Sequence, residues 1–250
     1  MNSLKDTVAL VTGASSGIGE ATSLELARHG ASIAAVARRA DRLNDLVGQI
    51  EGRAIAIEAD VSNQEQAAGA VERTVSELGR LDILINNAGV MLLGPIVEAP
   101  LEEWQRMVHV NVLGLMYCAH AAIPHLLKGA ESSERGVADL INISSVAGRV
   151  ARAGSGVYNL TKHGVGAFSE SLRQEVTKRH VRVSLVEPGA VATELAGHNR
   201  PEVQESMKAR FADMQRLEAE DIADTIGYVV SRPRHVAINE VLIRPTEQEG

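Results

Sequence analysis

A phenol and an ammonium group lie four residues apart in the segment Tyr158-Asn-Leu-Thr-Lys162. Residues spaced in this way share one face of a helix, so we expect Lys162 beside Tyr158. Lowering the pKa of tyrosine from about 10 to about 7 requires roughly 4 kcal/mol of preferential stabilisation of the phenolate. One ammonium at about 4 Å, in an effective dielectric of about 20, supplies an energy of that size. The pair therefore predicts a phenol that exchanges protons near neutral pH.

A glycine-rich turn follows the first apolar run, in the segment Thr12-Gly-Ala-Ser-Ser-Gly-Ile-Gly19. Glycines let a backbone approach a pyrophosphate, whose charge is met by the N–H groups that begin the next helix. A purely structural turn and the G-x-S-x-G nucleophile elbow are alternatives, but the elbow needs an earlier oxyanion loop, which a segment this near the N-terminus lacks. We predict a dinucleotide site formed by Gly13, Ser15, Ser16, Gly17, Ile18 and Gly19.

The second apolar run ends in Val36-Ala-Arg-Arg39. NAD sites usually carry an acid about 20 residues after the glycines, and Ala37 stands at that position here. Arginine instead favours a 2′-phosphate through charge-assisted hydrogen bonds. We therefore predict NADP(H) over NAD(H), with Arg38 the stronger ligand because it directly follows the strand. The alternative is that Arg38 and Arg39 only solvate the start of a helix.

Short apolar runs alternate with helical patterns along the chain. Continuous apolarity indicates strands that are buried on both faces. Strands are predicted at 7–12, 32–37, 54–59, 81–86, 139–144, 181–186 and 238–243, and helices at 17–29, 41–50, 64–78, 102–128, 155–179 and about 218–231. This alternation predicts an α/β fold in one domain over 1–250, a Rossmann-type doubly wound parallel sheet with helices on both faces.

Two segments depart from the alternation. The polar stretch 128–137 is predicted to be a solvated loop. Residues 190–217 are weakly patterned, with Pro201 as a break, and they follow a strand end. Ligands of open α/β sheets bind beyond the carboxyl ends of the strands, so we predict that 190–217 is a substrate lid.

Composition excludes several classes of protein. The net charge of −7 and the 2% aromatic content argue against nucleic-acid binding. The single cysteine, Cys118, cannot form an internal disulfide. No apolar stretch approaches the roughly 20 residues of a membrane span, and the N-terminus lacks a signal peptide, so we expect a cytoplasmic protein with no membrane partner. The eight histidines form no metal-binding motif, and no metal is predicted.

Taken in order, the motifs resemble those of the short-chain dehydrogenase/reductase family, in its single-domain branch. They are TGASSGIG at 12–19, Asp60-Val61, Asn86-Asn-Ala-Gly89, Asn111, Ile143-Ser-Ser145, Tyr158 with Lys162, and Pro188-Gly189 with Thr193. The match spans nearly the whole chain. The resemblance implies reversible hydride transfer between NADP(H) and a small carbonyl or alcohol substrate.

The resemblance also implies the roles of four catalytic residues. Tyr158 protonates the carbonyl oxygen, and Lys162 lowers the pKa of that phenol and binds the nicotinamide ribose. Ser145, thirteen residues before Tyr158, hydrogen-bonds the substrate oxygen, whereas Ser144 belongs to the strand end. Asn111 holds a water that connects Lys162 to solvent; the alternative is an asparagine at a helix kink.

On the cofactor side, the resemblance assigns Asp60 to the adenine amino group. It places the backbone of 87–89 against the adenosine ribose, and Thr193 with the backbone of Val191 at the carboxamide. Besides the glycine turn, both arginines, Tyr158 and Lys162, the implied cofactor site comprises Asp60, Val61, Asn87, Ala88, Gly89, Pro188, Gly189, Val191 and Thr193.

Local stretches such as 91–95 and 244–246 resemble a subgroup that contains clavulanic acid dehydrogenase and serine dehydrogenases. In the family, helices equivalent to 102–128 and 155–179 pair across a two-fold axis, which implies a homodimer or homotetramer. A catalytically idle NADP-binding sensor or scaffold is the alternative function. Such a protein has no need of all four catalytic residues.

Overall fold

The computed structural model describes residues 4–249 and contains one parallel sheet. Its strands are β1 (Val8–Thr12), β2 (Ser32–Ala37), β3 (Ala54–Glu58), β4 (Ile83–Asn86), β5 (Ala138–Ile143), β6 (Val181–Pro188) and β7 (Glu240–Ile243). They lie in the order β3-β2-β1-β4-β5-β6-β7. The predicted strands are confirmed within two residues at each end. The order reverses between β1 and β4, which is the point where open α/β sheets bind ligands.

Helices cover both faces of this sheet, as predicted. They are α1 (Gly17–Arg28), α2 (Ala40–Gln49), α3 (Gln64–Leu78), α4 (Leu101–Val108), α5 (Leu115–Ser132), α6 (Gly156–Val176), α7 (Pro201–Arg210) and α8 (Ala219–Val230). The α1, α2 and α8 helices pack on one face, and α3, α5 and α6 pack on the other. The result is the three-layer arrangement expected of a Rossmann-type fold.

Strand β1 shows why its sequence is apolar throughout. Val8 and Leu10 pack into the core on the α3 and α5 side, whereas Ala9 and Val11 pack into the core under α1 and α8. Successive side chains of a strand point to opposite faces, and here both faces are covered.

The loop predicted at 128–137 is wrong in its first half, because α5 continues to Ser132. Gly129, within this stretch, serves packing. A Cβ on Gly129 would lie 2.5 Å from the carbonyl oxygen of Leu81, so glycine lets the helix approach the sheet. Ala130, the next residue, is buried in the core. Tertiary packing therefore extends a helix through a polar sequence.

The predicted helix 102–128 is interrupted by a π-helical segment, His109–Gly114, between α4 and α5. The whole run Leu101–Ser132 is long and apolar enough to cross a membrane, contrary to the expectation from sequence. Its α5 part buries Cys118, Ala122 and Leu126 against the sheet. It is therefore a core helix of this fold.

Residues 190–217 leave the sheet after β6 and return to it. Ala192 N donates to the Leu217 carbonyl at 2.8 Å, and Leu217 N donates to the Ala190 carbonyl at 3.0 Å. Between these bonds lie a 3-10 helix, Glu194–His198, and α7. Pro201 starts α7 rather than breaking the segment, since proline suits the first turn of a helix.

Candidate active site

A cleft of about 860 Å³ runs along the carboxyl ends of the strands. Nearly all predicted site residues line it: Gly13, Ser15, Ser16, Gly17, Ile18, Arg38, Arg39, Asp60, Val61, Asn87, Ala88, Gly89, Ser145, Tyr158, Lys162, Pro188, Gly189, Val191 and Thr193. The structure thus brings together segments from both halves of the chain. The remaining two, Gly19 and Asn111, lie behind this lining.

The glycine turn has a backbone that only glycine adopts without strain. Gly13 and Gly17 have φ angles of +67° and +55°, in the left-handed region. A Cβ on Gly19 would lie 2.3 Å from the Gly13 carbonyl oxygen, so a side chain does not fit there. Ser16 precedes α1 and makes no side-chain cap to it, which leaves the first N–H groups of the helix open to the cleft. These features fit a pyrophosphate.

Arg38 and Arg39 differ in the hydrogen bonds and ion pairs of their side chains. Arg39 Nη2 donates to Ser16 Oγ at 2.8 Å and to Ser15 Oγ at 3.0 Å, while its Nη1 pairs with Glu194 at 2.9 Å. Arg38 is exposed at the cleft, and its side chain has no hydrogen bond or ion pair within the described chain. A free guanidinium directly after β2 fits the 2′-phosphate predicted from sequence.

The ends of β1 and β4 are joined by side chains beside the glycine turn. Thr12 Oγ1 accepts from the backbone N of Asn87 at 3.0 Å and of Ala88 at 3.1 Å, and Asn87 Nδ2 donates to the Thr12 carbonyl at 3.0 Å. Asn86 Nδ2 donates to Asn142 Oδ1 at 3.0 Å, which ties β4 to β5. Sequence analysis missed the role of Thr12.

At the β3 end of the cleft, Asp60 is held by the following turn. Its Oδ1 accepts from Ser62 N at 3.0 Å and from Ser62 Oγ at 2.7 Å. The carboxylate is therefore fixed in place while its residue still lines the cleft.

Tyr158 and Lys162 lie on one face of α6, as predicted, and both are buried. Lys162 Nζ is 5.8 Å from the centroid of the Tyr158 ring and donates to the Ile143 carbonyl at 2.8 Å. Burial raises the pKa of Tyr158 to about 12, an effect that the Ser145 hydroxyl partly opposes. Burial lowers the pKa of Lys162 to about 8.

The predicted lowering of the tyrosine pKa is therefore wrong for the protein without its cofactor. Desolvation disfavours both charged forms, and the ammonium is directed to a backbone carbonyl. At neutral pH the phenol is protonated and the amine carries its charge.

Ser145 and Ser144 have the separate positions expected of them. Ser145 Oγ accepts from Ala147 N at 3.1 Å and lies 3.4 Å from the Pro188 carbonyl oxygen, at the cleft. Ser144 follows the end of β5 and donates to the Lys162 carbonyl at 3.2 Å, which ties α6 to the strand.

Both polar atoms of the Asn111 side chain form hydrogen bonds with the backbone of Val90. Its Oδ1 accepts from Val90 N at 2.8 Å, and its Nδ2 donates to the Val90 carbonyl at 2.8 Å. The side chain therefore fixes the segment after β4 and does not face the cleft, as the kink alternative requires. It nevertheless lies close to Lys162: a Cβ on Gly89 would be 3.4 Å from Asn111 Oδ1 and 4.0 Å from Lys162 Nζ.

Sequence analysis missed an ion cluster behind Ser145. Glu187, 1% exposed on β6, pairs with the Arg149 guanidinium at 2.6 Å, and Arg149 also contacts Glu240 of β7. The cluster anchors the loop that leads away from Ser145 to two strands. An acid at the end of an otherwise apolar strand was the available signal.

The lid segment contacts the glycine turn at its start. A Cβ on Gly17 would lie 3.0 Å from Thr193 Cγ2, and Glu194 pairs with Arg42 at 2.7 Å as well as with Arg39. Hydrogen bonds from these two guanidinium groups lower the pKa of Glu194 to about 2, and the bond from Arg42 has the larger effect. The 190–217 segment is thus joined to α2 across the dinucleotide side of the cleft.

Known proteins resemble this chain in sequence and in fold. A family model described as short chain dehydrogenase matches residues 7–204. An uncharacterized oxidoreductase of Staphylococcus saprophyticus is 36% identical over 253 residues, which cover 99% of this chain and 99% of that protein. The closed form of a serine dehydrogenase complexed with NADP+ has a TM-score of 0.88 and 31% identity, covering 98% of this chain and 97% of that chain.

A short chain dehydrogenase from Burkholderia cenocepacia in complex with NADP has a TM-score of 0.83 and 30% identity, covering 96% of this chain and 97% of that chain. The family match spans most of the motifs, and the structural likeness spans the whole fold. The serine dehydrogenase likeness also agrees with the subgroup expected from sequence. The chain belongs to the short-chain dehydrogenase family.

Proposed function

We propose that this oxidoreductase uses NADP(H) to interconvert a small carbonyl compound and the corresponding primary or secondary alcohol. The observation that carries the proposal is the burial of Tyr158 and Lys162 together, with Ser145, in a cleft that begins at a glycine turn. When bound, the nicotinamide supplies the hydride for reduction and accepts it in oxidation.

In this proposal the side chains position the substrate and move one proton. The Ser145 hydroxyl holds the substrate oxygen, and the Tyr158 hydroxyl donates its proton to that oxygen during reduction. A phenol whose pKa is about 12 is fully protonated at neutral pH and ready to act as an acid. The nearby Lys162 ammonium stabilises the phenolate that remains.

The cofactor assignments follow the geometry of the cleft. The glycine turn and the start of α1 bind the pyrophosphate, and Arg38 binds the 2′-phosphate. Asp60 accepts from the adenine amino group, and Thr193 with the backbone of Val191 binds the carboxamide. The NADP complexes of the two structural relatives support this choice of cofactor.

The remaining assignments concern the whole protein. Residues 1–250 form a single oxidoreductase domain in which 190–217 is the substrate lid. The ion pairs of Glu194 to Arg39 and Arg42 support the lid assignment, because they hold this segment beside the cleft. The protein acts in the cytoplasm as a homodimer or homotetramer.

Replacing Tyr158 by Phe tests the proposal. We expect kcat for any carbonyl that the parent reduces to fall about a hundred-fold or more, because the acid is lost. The dissociation constant of NADPH, measured by its fluorescence, changes little. Turnover is measured by NADPH absorbance across a panel of carbonyls.

Tyr228→Phe is the matched control, since Tyr228 is exposed on α8, away from the cleft. Turnover that survives Tyr158→Phe would show that the acid is assigned wrongly. A parent protein that binds NADPH but reduces no carbonyl would favour the idle sensor or scaffold.

A further inference from the structure

The lining of the cleft is positively charged, although the protein as a whole is negatively charged. The chain carries a net charge of −7. Within the described residues, the lining contains six Lys or Arg side chains and only two carboxylates, Asp60 and Glu194. An excess of cations in a concave site concentrates anions there, because the low-dielectric walls focus the field.

The cofactor and the catalytic pair account for only part of this charge. Arg38 and Arg39 belong to the 2′-phosphate end, and Lys162 belongs to the catalytic pair. Of the two carboxylates, Asp60 lies at the β3 end and Glu194 is neutralised by its ion pairs to Arg39 and Arg42. Three cations are left over.

The three are Arg152, Lys208 and Arg216, which come from the loop before α6, from α7, and from the segment after α7. All three side chains are exposed at the cleft, and none makes a hydrogen bond or ion pair within residues 4–249. Many other arginines in the protein pair with a carboxylate, as Arg149 does with Glu187 and Arg182 with Asp139. Exposed cations that line a cleft without a counter-ion in the described chain attract anions, so the arrangement favours an anion that comes from outside.

His198 of the lid also lines the cleft. The pKa of His198 is lowered by burial and by repulsion from Arg106, Arg38 and Arg39. It is therefore neutral at neutral pH and leaves the three cations as the recognition groups.

We infer that the substrate is a carbonyl compound that carries a negatively charged carboxylate or phosphate, which Arg152, Lys208 and Arg216 bind at the mouth of the cleft. This inference rests on the proposed function, because it assigns a charge to the substrate of that reaction. The glycine turn and Arg38 already provide groups for the cofactor's phosphates, which leaves these three cations for the substrate.

The test compares carbonyls that differ only in charge. Succinate semialdehyde is compared with its neutral methyl ester, and glyceraldehyde phosphate with glyceraldehyde, by kcat/KM with NADPH. We expect the anion to be preferred in at least one series, and the series with the larger ratio identifies carboxylate or phosphate. Added salt should lower kcat/KM for the anion and leave the neutral partner unchanged.

Arg152→Gln, Lys208→Gln and Arg216→Gln remove the cations singly. Each should lower kcat/KM for the anion roughly two- to five-fold, the range of an exposed ion pair, and should leave kcat/KM for the neutral substrate unchanged. Lys178→Gln is the matched control, because Lys178 is exposed on the 3-10 helix after α6, outside the cleft lining. NADPH affinity should be the same in all variants.

Equal reduction of acid and ester, with a ratio that the three variants leave unchanged, would overturn the inference while the proposed function stands. Weaker NADPH binding in these variants would also overturn it, since the cations would then serve the cofactor. If neither series were reduced although other carbonyls of the panel were, the inference would fail, and if no carbonyl of the panel were reduced, the proposed function itself would fail.

Discussion

Burial gives the two central side chains opposite changes in proton affinity. The pKa of Tyr158 rises to about 12 and that of Lys162 falls to about 8, because each loses the hydration of its charged form. The four-residue spacing predicted their shared helix face correctly. It could not show that the cleft desolvates them, since burial depends on segments far away in sequence.

A stability measurement tests the lysine directly. The folded pKa of Lys162, about 8, lies below its ordinary value of 10.5, so the unfolded chain binds this proton more tightly. The ammonium therefore destabilises the folded protein below pH 8, and the penalty fades as the pH rises to 10.5. We expect Lys162→Met to raise the free energy of unfolding at neutral pH by up to about 3 kcal/mol, less about 1 kcal/mol for the lost hydrogen bond to Ile143.

Urea unfolding of the cofactor-free protein, at neutral pH and near pH 10.5, measures this difference. The stabilisation should be largest at neutral pH and smallest at the higher pH. Lys178→Met serves as the control at an exposed position. A variant less stable than the parent at neutral pH would show that the buried ammonium is not a net penalty.

The choice of cofactor depends on which arginine is free. Arg38 has no partner within the described chain, whereas Arg39 already bonds Ser15, Ser16 and Glu194. We expect Arg38→Ala to weaken NADPH binding about ten-fold, or more, and to leave NADH binding nearly unchanged, because only NADPH carries the 2′-phosphate. Fluorescence titration with both cofactors measures the change. An unaltered preference for NADPH would exclude Arg38 as the phosphate ligand.

At the scale of elements, sequence periodicity did not reveal the π-helical segment His109–Gly114. It directs Asn111 to the backbone of Val90, which lies next to Gly89 and near Lys162. π-helical turns are often found at functional sites, and this one lies near Lys162, for which we propose a catalytic role. Asn111 therefore affects Lys162 indirectly, by holding the segment that contains Gly89 and Val90.

Asn111→Ala tests this positioning role. It removes the two hydrogen bonds to Val90 and a third to Thr161 Oγ1, and it leaves the buried N–H and C=O of Val90 without these partners, so we expect a loss of about 2 to 4 kcal/mol in stability. We also expect kcat to fall about ten-fold or more as the segment beside Lys162 moves. Thermal unfolding and turnover are measured together, with the exposed Asn44→Ala as control. Unchanged stability would mean that these bonds do not hold the segment.

Two further elements show where local signals mislead. Gly129 and Pro201 are residues that usually end helices, yet one lies inside α5 and the other begins α7. Gly129 is needed for close approach to Leu81, and that contact exists only in the folded sheet. The sequence indicates the conformational preference of each residue, and tertiary packing decides whether that residue ends, continues or begins a helix.

At the scale of the whole molecule, apolar side chains are exposed on helices that cover one face of the sheet. Leu160 on α6 is 62% exposed, and Met116 on α5 is 39% exposed. Isolated exposed apolar residues are common, but these lie on the two helices whose family counterparts pair between subunits. They fit the homodimer or homotetramer that we propose.

Leu160→Arg tests the assembly. A charge at the centre of a subunit contact remains unpaired and desolvated, so we expect the variant to form a smaller assembly than the parent. Light scattering coupled to gel filtration measures the mass of each. Val97→Arg, at a 93% exposed position off these two helices, should leave the mass unchanged. A monomeric parent would contradict the proposal.

The sequence by itself determined the order of strands and helices, the glycine turn and the Tyr158 and Lys162 pair, because these depend on spacing and on local backbone preferences. Only the tertiary structure decided which groups are desolvated, which arginine is free, and that Arg152, Lys208 and Arg216 line one cleft. Such properties depend on the distance between residues remote in the chain. Coulomb and solvation energies follow that distance, and no local pattern encodes it.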